Sequence, residues 1–79
     1  MPMPIILRDV EITQLIPEQK VFFVVVHVKA SPYEMGSVRV QSHLSNRIAY
    51  ATKYLVDEGF IPDPLSPWTA MVSSVCHPI

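Results

Sequence analysis

A small α+β domain is the fold class this sequence predicts: one long helix packed on one face of a small antiparallel or mixed sheet of three to four strands. Three observations carry the prediction. The run Val21–Val28 is apolar except for His27, and alternation in it gives a strand. A Pro- and Gly-bearing loop then leads to a long amphipathic segment that stops at Gly59. A second alternating stretch, 68–76, follows. The predicted order is β-β-α-(β)-β in a single domain over residues 1–79.

The first strand is placed at 6–13. Ile6, Val10 and Ile12 share a side with Arg8, while Asp9, Glu11 and Thr13 share the other. Period two with β-branched residues marks a half-buried strand, and Arg8, out of pattern, suggests the sheet's rim. Pro17-Glu18-Gln19-Lys20 presets a turn, so 15–20 is expected to be a hairpin loop. In the second strand Phe22, Val24, Val26 and Val28 line the face expected under the helix. Phe23, Val25, His27 and Lys29 line the other. A strand apolar on both faces at one end is central, or is covered by something else.

The helix is expected to start near Val38 with Ser37 as N-cap. Val40, Leu44, Ile48, Ala51 and Leu55 then fall within about 80° of the helical wheel, opposite Asn46, Lys53 and Asp57. Gly59 is placed at C′, free of the Cβ penalty of the left-handed conformation, with Phe60 folding back on Leu55. Phe60-Ile61 is the optional extra strand. Three prolines in 62–67 exclude helix and central strand, and Pro78 ends the last ladder.

Composition limits function more than it assigns it. Seventy-nine residues bury about 63% of their surface, enough for one small core. Hydrophobic residues make up 49% and charged residues 16%, below the usual ~25%, which fits either burial of further surface in an oligomer or a partner, or a tightly packed monomer. Six Lys and Arg, scattered along a chain of net charge −1, make nucleic-acid binding unexpected. A shared basic groove in a dimer, built from Arg39, Arg47 and Lys53, would be the sole route to it. The single cysteine, Cys76, rules out an intrachain disulfide and fits a reducing, cytoplasmic setting. No signal peptide and no membrane span is expected.

No catalytic residue, metal or cofactor is assigned. His27, His43, His77 and Cys76 lack ligand spacing. Cys76 and His77 point to opposite faces of a strand, so His77 cannot activate the thiol directly, and Cys76 is expected to be a buried or half-buried small hydrophobe. The loop 31–37 joins a strand end to a helix N-terminus and offers Ser31, Tyr33, Glu34 and Ser37, a candidate small-molecule site without a phosphate-loop motif.

A strand, a helix carrying Asn46, and the ending Tyr54-Leu55-Val56-Asp57-Glu58-Gly59-Phe60-Ile61-Pro62-Asp63-Pro64 faintly resemble the first β-α-β unit of nucleoside deoxyribosyltransferase-like proteins. The resemblance covers some forty residues and would imply a nucleotide-type ligand at the 31–37 loop. The family's glycine-bearing loop after its first strand is absent, and the chain is short for its doubly wound sheet and catalytic carboxylate region. The resemblance is not adopted.

The leading expectation is a small non-enzymatic accessory or inhibitor-like protein acting through protein–protein contact, with itself as a homodimer or with another protein, of the kind found among phage or bacterial regulators. Its interface would use Phe23 and Val25 on the uncovered sheet face, and Arg47, Tyr50 and Tyr54 on the helix flank. A nucleotide-like ligand or transferase-like chemistry at Ser31–Ser37, with Glu34 as the acid–base carboxylate, is the alternative.

Overall fold

The computed structural model describes residues 4–62 and 67–79. Its strands are β1 (Ile5–Leu7), β2 (Val10–Ile16), β3 (Val21–Lys29) and β4 (Thr69–His77), with the helix α1 (Val38–Asp57) between β3 and β4. They form one mixed sheet in the order β1-β2-β3-β4. β1–β2 and β2–β3 are antiparallel, and β3–β4 is parallel. Parallel neighbours need a long crossover connection, which α1 supplies.

The α+β class is as expected, but the fourth strand arises elsewhere. The chain turns back on itself at Arg8-Asp9, so the expected single strand at 6–13 is a two-residue hairpin with Leu7 opposite Val10. Arg8 takes φ +56° there, which explains its place outside the apolar alternation. Phe60-Ile61, the optional strand, is irregular backbone, with Ile61 buried in the core. The Pro17–Lys20 turn is closed by Gln19 N–H to Ile16 C=O and Lys20 N–H to Pro17 C=O.

Register fixes what faces the helix. Val10 and Ile12 of β2 and Phe22, Val24, Val26 and Val28 of β3 are buried. Between Ile12 and Gln14 the pairing slips, so that Leu15 pairs with Phe22. One extra residue shifts the alternation by one place, which turns Leu15 rather than Gln14 toward the core. From the helix, Val40, Ala51 and Leu55 are buried, and Leu44 packs against them. These residues belong to the stripe read from the sequence, and α1 lies over β2 and β3.

Both helix ends follow local chemistry. Ser37 Oγ accepts the Val40 N–H at 3.2 Å, as an N-cap should. At the other end Gly59 sits at φ +83°, Phe60 N–H donates to Leu55 C=O at 2.8 Å, and Gly59 N–H donates to Val56 C=O at 3.1 Å. That double bond pattern is a Schellman motif. Phe60 packs against the core cluster that holds Leu55, its ring centroid 6.5 Å from that of Tyr54.

The expected stiff connection at 62–67 falls mostly outside the described residues. No helix among the described residues is long and apolar enough to cross a membrane.

Candidate functional site

Across the sheet from α1 lies a face that no other described element covers. Paired residues share a face, so Val21, Phe23, Val25, His27 and Lys29 of β3 lie beside Thr69, Met71, Ser73, Val75 and His77 of β4. On the β2 side they meet Ile16, Gln14 and Glu11, and Ile6 of β1 lies beyond Glu11. The middle of this face is mostly apolar, with Phe23, Val25, Met71 and Val75 around Ser73. Phe23 and Val25 are half-buried, while Met71 is 48% and Val75 40% exposed.

One end of the face is polar and ordered. His27 Nε2 lies 2.6 Å from Glu11 Oε1, and His27 Nδ1 lies 2.8 Å from His77 Nε2. Glu11 is opposite Val25 and His77 is opposite Lys29, so the three side chains form a diagonal line across β2, β3 and β4, within reach of long side chains. The imidazole centroids are 5.0 Å apart. That separation exceeds the N···N distance by about two ring radii, so the rings meet end to end. An ionised carboxylate only accepts, so His27 donates to Glu11 through Nε2–H. With a neutral imidazole at His27, its Nδ1 accepts from His77 Nε2–H. This arrangement can relay a proton between Glu11 and His77, and it ties three strands together. Among the described residues no group of three or more His, Cys, Asp or Glu has the geometry to hold a metal ion.

A second polar cluster pins the β1–β2 turn to the helix. Asp9 accepts from His43 Nε2 at 3.0 Å and from Arg47 Nη1 at 3.1 Å. Burial, the largest single influence, pushes the Asp9 carboxyl up, and the Arg47 hydrogen bond opposes it. With the Asp9 backbone N–H, the Arg47 charge and His43, it holds the group below its ordinary 3.8. The Arg47 guanidinium lies 4.7 Å from the Tyr50 ring centroid, a cation–π contact. Arg47, Tyr50 and Tyr54 are thus brought together on one flank, with their contacts directed into the chain. The helix cations are each matched by a carboxylate: Arg39 by Glu34, Arg47 by Asp9 and Lys53 by Asp57.

The 31–37 loop contains a short 3-10 turn, Pro32–Glu34. Glu34 accepts the Ser31 N–H at 3.0 Å and Arg39 Nη2 at 2.8 Å. The Ser31 N–H bond, then Arg39, hold its carboxyl below the ordinary value. Ser37 is used as the helix cap, and Tyr33 is 98% exposed. Cys76, half-buried, donates from Sγ to Ala30 C=O at 3.0 Å, and His77 lies on the opposite face of β4, as the strand period requires.

Asp9, Glu11 and the β4 residues Met71, Ser73 and Val75 were not singled out from the sequence. The available signal was the order strand–helix–strand, which calls for parallel neighbours and so brings His77 beside the end of β3. Comparison with protein-family models, with curated proteins and with solved structures gives no match.

Proposed function

We propose that the protein is a small non-enzymatic accessory or inhibitor-like protein that works through protein–protein contact, as a homodimer. The observation that carries this reading is the sheet face that no other described element covers, where Phe23, Val25, Met71 and Val75 cluster around Ser73. Large contiguous apolar surface is uncommon on a monomer and marks association sites. The Arg47–Tyr50–Tyr54 flank is secondary in this account, because Arg47 is held by Asp9 and Tyr54 by the core edge.

Val25→Glu tests the reading. An unpaired carboxylate in a dry interface costs several kcal/mol, whereas on a wet face it costs little. The expected result is a folded protein, judged by circular dichroism, that no longer self-associates. Unfolding of the variant would show that this face is intrachain core. Unchanged association would show that the face is not used.

A further inference from the structure

The sheet has two edges, and they differ in how well they are protected. β1 is three residues long and follows Pro4. β4 is nine residues long, Thr69–His77, with no Asp, Glu, Lys, Arg or Pro anywhere in it. Natural sheet edges are blunted by shortness, charge or proline because unpaired backbone groups recruit another strand. β1 has the first device, and β4 has none of them. The main helix contacts are to β2 and β3; among the described residues no element lies along the outer edge of β4, and on its helix side only Ala70 and Cys76 are half-buried. Val72, on the helix side, is 40% exposed.

The direction of the backbone groups in β4 follows from two hydrogen bonds. Thr69 N–H donates to Lys20 C=O at 2.9 Å, and His77 C=O accepts from Ala30 N–H at 3.2 Å. In a parallel ladder alternate residues turn both groups to the same neighbour, so Thr69, Met71, Ser73, Val75 and His77 face β3. The N–H and C=O groups of Ala70, Val72, Ser74 and Cys76 therefore point outward along the open edge.

We propose that β4 pairs antiparallel with β4 of a second copy across a two-fold axis at Ser73, joining two four-stranded sheets into one. The proposal rests on the homodimer reading and specifies how the two copies meet. Centred on Ser73, Val72 pairs with Ser74 and Ala70 with Cys76, in both directions, so every outward N–H and C=O of these four residues finds a partner. No other centre pairs these four residues with one another. Centring on Val72 sets Cys76 against Trp68. Centring on Ser74 sets Ala70 against Pro78, which has no N–H. A centre between two residues opposes outward groups to inward ones.

The side chains agree with this register. On the open face Met71 of each copy meets Val75 of the other, and Ser73 meets its own counterpart as a non-hydrogen-bonded pair, with Cα atoms about 4.5 Å apart. No charge is brought against a like charge. Phe23 and Met71 of one copy then run on into Val75 of the other on either side of the Ser73 pair, joining the apolar surfaces of the two copies. A single strand pair is a modest interface, so the association is expected to lie at the micromolar end of affinities.

The test uses the charge at the axis. Ser73 is exposed in the monomer, so Ser73→Lys and Ser73→Glu both fold. Like charges directly opposite destabilise a strand pair. Sedimentation velocity is expected to show each variant alone associating about tenfold or more weakly than wild type. An equimolar mixture is expected to recover dimer as the heterodimer. In a Cys76→Ala background, oxidised Ser73→Cys is expected to give a disulfide-linked dimer, since only a residue at the axis meets itself. If wild type dimerises but both charge variants dimerise equally well, and Ser73→Cys does not cross-link, the β4 pairing is overturned while the homodimer reading stands. A wild type that is monomeric at every concentration overturns both.

Discussion

Replacing Gly59 by alanine separates backbone strain from steric clash, because a Cβ placed there has nothing within 4 Å to strike. The whole penalty comes from φ +83°. Holding an L-residue in the left-handed region costs roughly 1–2 kcal/mol, and the reduced entropy of the unfolded alanine chain returns about 0.4–1 kcal/mol. The net expectation is a loss of about 1 kcal/mol, or about 4–8 °C in Tm for a domain of this size. Gly36→Ala is the matching control. Its Cβ is equally free of contacts and its backbone is outside the left-handed region, so it should be neutral or stabilising by up to about 1 kcal/mol. Urea and thermal unfolding of the two variants, monitored by circular dichroism at one protein concentration, give the comparison. Equal midpoints for Gly59→Ala and Gly36→Ala would refute the Schellman account of the helix stop.

Acid sensitivity follows from Asp9. Its folded-state carboxyl titrates below 3.8, so its contribution is fully present above about pH 5 and is lost as pH falls through its unfolded and then its folded value. Asp9→Asn should flatten the stability profile in that acid window, and an unchanged profile would show that the Asp9–Arg47 contact does not persist in solution. The Glu11–His27–His77 chain makes a spectroscopic prediction: nitrogen-15 shifts of the neutral imidazoles should report Nε2–H for both His27 and His77. A His27 Nδ1–H tautomer would break the chain as described. Glu11→Gln, which makes the acceptor also a donor, should weaken the preference at both rings.

The parts of the fold that were legible in the sequence are those where one local rule decides. Gly59 followed by Phe60, Ser37 before Val38, and the alternation of valines in β3 each have one good structural solution, and the chain takes it. The Arg8-Asp9 hairpin was hidden because the usual glycine or asparagine is absent and Ile6–Thr13 alternates straight through the turn. The β2 slip was hidden for a related reason, since one extra residue is visible only against a partner strand. In the candidate site, Phe23 and Val25 were legible as apolar residues on the face away from the helix. Glu11 was not, because its meeting with His27 depends on which strands are neighbours. Nor was the exposure of β4, since its alternation gives the same sequence pattern at an edge as at the centre of a sheet.

Self-association through the open side of the sheet is the central claim, and mass against concentration tests it most directly. Light scattering or sedimentation equilibrium on the wild-type protein, from about 50 nM to about 100 μM, brackets the micromolar affinity expected of a single strand pair. The account predicts a mass that rises from 8.9 kDa toward twice that value, with a midpoint in the micromolar range. A mass that stays at 8.9 kDa across the whole range would contradict it.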